Sequence, residues 1–522
     1  MKTLVVFALF VCAVAAVSHK LTKRFGVPIE AEIGCASDGG NATFVADPSD
    51  CAVFYYCDHS WPRISFCPTG TIWSQSDRHN GRCERPERAY NDACGFTYNA
   101  PRGEGGDIPK SGACDVYCPG TYEECIGYTE ICDGFQQCKD GSDERGCAAP
   151  CNPDDCKLPD CRCSGTDIPG GLLPSEIPQI VLLTFEGAAR IEDYQHLYLQ
   201  IFNKIGRDRR RVPRTNANGC PLGATFFDIN QFTEFVVLQG LYTQGVEIAS
   251  LSLSHQSPAS YWRDAPQHVW QAEIADHRST MQSLARINPA DVKGMRAPYL
   301  QLGGNMQFAM LKDEGFQWDN SWPTQQMNPP MWPYTLDYRS TQECVVPPCP
   351  TAAFPGVWEV PMVDYLDTNN TVCASVDNCY FPENKEEALE LLRSNFDRHY
   401  QSNRAPFPIH VRPRWFYEAQ YNLEALQEFI DDMIGKEDVW FTTISQAIEW
   451  IRNPTRSSRA ADTFNCDFLR SREPVCDHPR FCAYYNVTMP PNSAEHPGDR
   501  YFHTCADICP AHYPYLGVPL GQ

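Results

Sequence analysis

Q-I-V-L-L-T-F-E-G-A, residues 179–188, is a continuous apolar run that ends on a carboxylate. The run is strand-sized and reads as a buried strand, opening a large domain near Ile177. R-I-E-D-Y-Q-H-L-Y-L-Q-I-F-N-K-I, 190–205, follows with helical spacing. G-A-T-F-F-D (223–228), V-E-I-A-S-L-S-L (246–253) and V-K-G-M-R-A-P-Y (292–299) read as further strands, with helical stretches between them. K-E-E-A-L-E-L-L-R-S-N-F (385–396) and N-L-E-A-L-Q-E-F-I-D-D-M-I (422–434) are amphipathic helices, and D-V-W-F-T-T-I (438–444) is a strand. Such alternation predicts a parallel sheet, here a closed or distorted (β/α) barrel. Chemistry in barrels sits at the C-terminal ends of strands, so the polar residues there are the ones to follow.

The 522 residues call for two to four domains. A hydrophobic fraction of 43% and an aromatic fraction of 12% provide for a large core. The formal charge of -22 argues against a nucleic-acid partner and is tolerable beside a neutral or weakly cationic polysaccharide. Residues 1–18 read as a signal peptide, with Lys2 before the apolar stretch from Leu4 to Ala16 and small residues around Ala15 to Ser18. That stretch is too short to span a membrane comfortably, so secretion and no membrane span are expected. Of 27 cysteines Cys12 lies in the leader, and the remaining even number predicts disulfide bonding throughout rather than zinc clusters. Sequons at Asn41, Asn369 and Asn486 fit glycosylation.

The cysteines cluster. Six fall in 33–96, six in 113–148, and four in a hinge at 149–176. T-Y-N-A-P-R-G-E-G-G-D-I-P-K-S-G supplies a linker over 97–112. Two small stapled modules therefore precede a barrel domain at 177–460, and a cysteine-rich extension at 461–522 is expected to pack on the barrel. In the first module F-Y-Y-C (54–57) and C-P-T-G-T-I-W (67–73), with the cysteine gaps, resemble the peritrophin-A type of chitin-binding domain. Exposed aromatics cover the apolar faces of N-acetylglucosamine at little entropic cost, and Phe54, Tyr56 and Trp73 are the candidates, with Trp61 as a fourth. In the second, E-C-I-G-Y-T-E-I-C-D-G-F-Q-Q-C-K-D-G-S-D-E-R-G-C (124–147) resembles the LDL-receptor class A repeat. That resemblance implies a calcium site using Asp133, Asp143 and Glu144. Gln137 stands where the family has a further Asp, so affinity should fall. Such repeats often bind proteins, which makes an extracellular matrix protein a possible partner.

From about Cys151 the chain resembles the animal chitin deacetylases. The resemblance is carried by C-K-L-P-D-C-R-C (156–163), M-R-A-P-Y-L-Q-L-G-G-N-M-Q-F (295–308), N-F-D-R-H-Y (395–400), N-R-A-P-F (403–407) and A-I-E-W-I-R-N-P-T (447–455). That family holds a divalent metal with one Asp and two His, activates water with a second Asp and protonates the leaving amine with a His. Carried over position by position, Glu186 occupies the base position and Gly187 a metal-ligand position. Leu251 replaces the first His of the pair, leaving His255 as the one retained ligand. Arg296 and Asp319 survive as remnants of the third and fourth motifs. In P-I-H-V-R-P-R-W-F (408–416) Arg412 stands where the acid His is expected, and a guanidinium does not release its proton near neutral pH. His410, two residues earlier, would share its strand face. Two ion pairs, Arg296–Glu186 and Arg412–Asp319, are expected to fill the former metal cleft. Tyr299, Trp318, Trp322, Trp332 and Trp415 lie in or near motif loops, with barrel packing the expected role of each.

The expectation is a secreted chitin-binding protein of the chitin deacetylase family, catalytically impaired or inactive, acting in chitinous matrix organisation. Calcium is expected in the second module and no catalytic zinc in the barrel. The alternative is a working metal-dependent deacetylase that converts chitin to chitosan and acetate.

Overall fold

The computed structural model describes the backbone of five short strands within 44–84 and then residues 116–118, 125–132, 134–206, 210–472, 474–489 and 497–522. The signal peptide, the linker and Asp133 lie outside the described residues. Two compact units divide at Ala113. In the first, Val53–Asp58 pairs antiparallel with Phe44–Ala46 and Trp61–Phe66, and Ile72–Asp77 pairs with Asn80–Glu84. Phe54 and Tyr56 sit on the middle strand opposite Ser65 and Arg63, and Trp73 sits opposite Cys83. The side chains of these candidates lie outside the described residues.

The second unit is built on eight parallel strands: β1 (Gln179–Gly187), β2 (Thr225–Ile229), β3 (Glu247–Ser252), β4 (Gly294–Met295), β5 (Trp318–Asp319), β6 (Phe354–Glu359), β7 (Phe407–Val411) and β8 (Val439–Phe441). The ladder runs β6-β5-β4-β3-β2-β1-β7, with β8 also paired to β1. Tyr334–Leu336 pairs antiparallel to β6. No ladder joins β7 to β6 among the described residues, so the barrel is distorted rather than evenly closed.

Period-two alternation sorts the side chains. On β1, Val181, Leu183 and Phe185 pack outward under the helices, while Ile180 and Leu182 face the interior with Phe227, Ala249, Leu251, Trp318 and Trp358. The outer layer includes α1 (Phe235–Thr243), α2 (Asp276–Ala285), α3 (Gly304–Asp313), α4 (Lys385–Tyr400) and α5 (Gln420–Ile434), whereas α6 (Ile444–Arg452) packs its apolar face on the interior cluster. Thr443 caps α6 by accepting the Gln446 N–H at 3.1 Å, with Gln446 reaching back to Thr443 N. The helix expected over 190–205 stops at Phe202, because Asn203–Ile205 forms a ribbon with Arg211–Pro213.

Nine disulfides join described cysteines. Among the described residues the second cysteine module has a small core of Cys118, Ile126 and Cys138, with Ile131 against it. It packs on the barrel domain, with Arg339 Nη1 donating to the Cys132 carbonyl at 2.8 Å and Ala148 N donating to Thr351 O. The C-terminal extension is tied back by Cys220–Cys466. Among the described residues no helix is long and apolar enough to cross a membrane.

Gly294 shows how tightly the interior is filled. A methyl group there would meet the Trp318 ring at 2.0 Å. Gly294→Ala should therefore cost about 1–3 kcal/mol or more through overpacking. Gly240→Ala, in α1 with nothing within 4 Å of the added carbon, should be neutral or gain up to about 1 kcal/mol. Denaturant unfolding of the two variants checks the contrast.

Candidate active site at the barrel mouth

The inward face of β1 continues from Leu182 through Thr184 to Glu186 at the strand's C-terminal end. On β7, Ile409 and Val411 belong to the outer layer, so His410 faces inward. Beyond β4, Arg296 enters the same space and is only 1% exposed. Its Nη1 donates to His410 Nδ1 at 2.6 Å and lies 3.5 Å from Glu186 Oε2. Its Nε donates to the Asn320 carbonyl at 3.0 Å and its Nη2 to Asn320 Oδ1. The guanidinium also lies 4.0 Å from the Phe227 ring centroid.

This geometry sets the protonation states. His410 Nδ1 faces a donor, so the proton of the neutral ring is on Nε2, 3.2 Å from Glu186 Oε2. Burial and the Arg296 charge push the His410 pKa down. Burial would raise the Glu186 pKa, but His410, Arg412 and Arg296 hold it below the usual carboxylate range. Glu186 is thus an ionised group already committed to cations, with Arg412 Nε 4.0 Å from Oε1.

The expected Arg412–Asp319 pair is not what forms. Arg412 Nε lies 2.5 Å from Asp377 Oδ2, and Nη2 donates to Asn378 Oδ1 at 2.6 Å. Asp377 and Asn378 occupy the short loop closed by Cys373–Cys379, with Asp377 Oδ1 accepting from Ser375 Oγ. That loop supplies a buried acid that the motif comparison passed over; its signal was a carboxylate inside a six-residue cysteine loop. Asp319 takes bonds from Gln307 Nε2, Ser321 N and Ser321 Oγ, each at 2.8 Å. Its backbone register partner is Glu359 on β6. Burial pushes Asp319 up to about 6 and Glu359 well above the carboxylate range. Asp319 is on the outward parity of β5, opposite to Trp318, and this is why it pairs with Gln307 of α3 rather than with Arg412.

The metal-ligand positions are occupied as follows. Gly187 has φ +128°, a backbone that a side chain would strain. Leu251 is 2% exposed and packs in the barrel interior. His255 follows β3 with φ +47°. Its N–H donates to Ser252 Oγ, and Glu273 holds the neighbouring Ser254 N at 2.9 Å. Burial pushes the His255 pKa down to about 4, and its ring sits 4.8 Å from that of Tyr299. Among the described residues the one group of three ligand-type side chains within 4.8 Å is Cys151, Cys156 and Cys163, whose sulfurs are in disulfides. The residues at the barrel mouth do not make a zinc ligand set: of the three ligand positions only His255 offers a ligand atom, and the other imidazole, His410, and Glu186 are engaged with Arg296 and with each other. Trp318, Trp322, Trp332 and Trp415 are buried packing residues, whereas Tyr299 is 38% exposed above the mouth.

In the second module Asp143 is buried and its Oδ2 accepts from Gln137 N at 2.6 Å, while Glu144 Oε2 accepts from Gly134 N at 3.1 Å. The other carboxylate oxygens, Asp143 Oδ1 and Glu144 Oε1, are buried with no hydrogen-bond partner among the described residues. Buried anionic oxygens left in this way fit a hard cation.

Removing Arg296 should leave the half-buried Glu186 and the buried groups around it under-compensated. Arg296→Met is expected to cost about 3–5 kcal/mol in denaturant unfolding. Adding Glu186→Gln should recover part of that loss, a non-additivity that a double-mutant cycle reads directly.

Residues 35–94 match the family model described as the chitin binding peritrophin-A domain. Chitin deacetylase 8 of Bombyx mori is 37% identical over 380 residues, covering 72% of this chain and 94% of its own. Chitin deacetylase 1 of Bombyx mori is 34% identical over 423 residues, covering 76% and 75%. Among solved structures, one assigned as a polysaccharide deacetylase from Mycobacterium smegmatis covers 55% of this chain and 95% of its own at 17% identity, with a TM-score of 0.36. With a chitin-binding domain at one end and this degree of identity to both relatives, the chain belongs to the chitin deacetylase family.

Proposed function

We propose that this protein is an extracellular chitin-binding member of the chitin deacetylase family that does not turn chitin over. One observation carries the reading: the position of the family's acid histidine holds Arg412, whose permanent cation lies between Asp377 and Glu186. Two absences support it. Gly187 offers no ligand atom, and Leu251 offers a hydrocarbon packed into the barrel core. Hydrolysis of an acetamide needs an electrophile on the carbonyl, a base for water and an acid for the amine. Here the carboxylate at the base position is neutralised in place, and no group at the Arg412 position releases a proton.

Chitin is the ligand this reading assigns to the first module, through Phe54, Tyr56 and Trp73. Calcium is assigned to the second module through Asp143, Glu144 and Gln137, with Asp133. That module would then present a rigid surface to an extracellular matrix protein.

Acetate release from chitin oligomers by the purified protein, with zinc or cobalt added and bound metal measured in parallel, tests the central claim. No acetate and substoichiometric metal are expected. Acetate release abolished by His255→Ala would overturn the reading in favour of a working deacetylase. Calcium titration of the full chain checks the second module: Asp143→Asn should weaken binding at least tenfold, because it removes an anionic oxygen from an oxygen-ligand site.

A further inference from the structure

The C-terminal extension carries a row of aromatic rings that the deacetylase site does not use. Strands Arg480–Val487 and Gly498–Thr504 form an antiparallel hairpin in which Phe481 faces His503 and Ala483 faces Tyr501. Alternation gives it two faces. One is buried: Cys482 and Phe502 belong to the core, Phe502 packs on Phe235 of α1, and Thr504 Oγ1 donates to the Leu284 carbonyl of α2. The other is open, with Phe481 58%, Tyr485 69% and Tyr501 46% exposed.

The exposed rings are ordered. Phe481 and Tyr501 are parallel within 5° at 5.9 Å between centroids. His503 extends the row beside Phe481 at 5.1 Å, and Tyr485 extends it beyond Tyr501 at 6.0 Å. Tyr501 Oη donates to Asp499 Oδ2 at 3.0 Å, which fixes its ring. Cys476–Cys505 and Cys482–Cys509 staple the hairpin, so little conformational entropy remains to be lost on binding.

The hairpin's place says what it is for. His503 N and Nδ1 bond Glu234, Tyr513 Oη donates to Gln231, and Asn230 Nδ2 donates to the Pro514 carbonyl. Residues 230–234 leave β2 at its C-terminal end, so the aromatic row borders the same barrel face as the remnant site. Apolar ring faces with polar rims suit pyranose rings. The formal charge of -22 disfavours an anionic polymer, whereas a neutral or partly cationic amino-sugar chain meets no repulsion. The same chain carries a chitin-binding domain at 35–94, so such a polymer is available to it.

We propose that this hairpin is a second carbohydrate-binding surface, on which a β-linked N-acetylglucosamine chain stacks along Phe481, Tyr501 and Tyr485. The proposal rests on reading chitin as the ligand. The test uses the full chain with Asn486→Gln, so that no attached glycan competes, and N-acetylglucosamine hexamer as the probe in calorimetric titration. A Tyr56→Ala/Trp73→Ala form, impaired in the first module, should still bind the hexamer. Adding Phe481→Ala/Tyr501→Ala should weaken that remaining binding at least tenfold, at unchanged melting temperature. Ala483→Glu, which keeps both rings but sets a charge between them, should weaken it as well. Residual binding that neither hairpin change alters would overturn the hairpin assignment and leave the chitin reading standing. No hexamer binding by the form with both modules intact would overturn both. A dimer in light scattering that the hairpin changes dissolve, with hexamer binding untouched, would overturn the proposal and assign the face to a second copy of the chain.

Discussion

A guanidinium shut inside the mouth of the barrel is the constraint on which the site depends. Burying a charge costs several kcal/mol unless it is paired and hydrogen-bonded. Arg296 meets that cost with groups from four strands and their ends: Glu186 and Thr184 from β1, His410 from β7, Asn320 after β5 and the Phe227 ring from β2. Each of these groups is in place only if its strand holds the correct register, because a slip by one residue would turn it to the opposite face. The ion-pair network and the barrel therefore specify each other.

On the proposed reading of a protein that does not turn chitin over, the same network explains in physical terms why the family's chemistry would be absent. A metal site concentrates positive charge between carboxylates and imidazoles. Here fixed cations supply the charge: Arg296 below Glu186, and Arg412 between Glu186 and Asp377. The substitutions at 187, 251 and 412 are consistent with one another. Without a metal, Glu186 would be a half-buried anion lacking compensation, and the guanidinium groups remove that penalty. Arg412 also ties the Cys373–Cys379 loop to the barrel mouth, so part of what closes the site is structural.

Besides the barrel, the chain carries several small elements to which the proposals above assign binding. A matched chitin-binding domain precedes the barrel, and a small disulfide-built module with buried acceptor oxygens is packed on its side. A hairpin with an open aromatic face borders its mouth. Small modules of this kind cannot bury enough apolar surface alone, which is why disulfides and docking against the barrel both appear.

Much of this could be read from residues alone. The apolar run at 179–185 and the helices at 385–396 and 422–434 announced the barrel, because periodicity is a local property. The family resemblance also pointed to Gly187, Leu251 and Arg412, and the structure places Gly187 at the end of β1, Leu251 on β3 and Arg412 just after β7. The sequence did not reveal β6, whose F-P-G opening disguises a strand, or the partner of Arg412. Pairing of side chains depends on which face of which strand each residue occupies and on loops distant in the chain. Asp319 and Arg412 both lie near the barrel mouth, yet they point to different layers, and Asp377 reaches Arg412 only because a disulfide loop folds over the opening. Apolar periodicity determined the strands and helices, and motif resemblance pointed to the family; the three-dimensional arrangement decided which charges meet, because ion pairing falls off over a few ångströms that sequence distance does not measure.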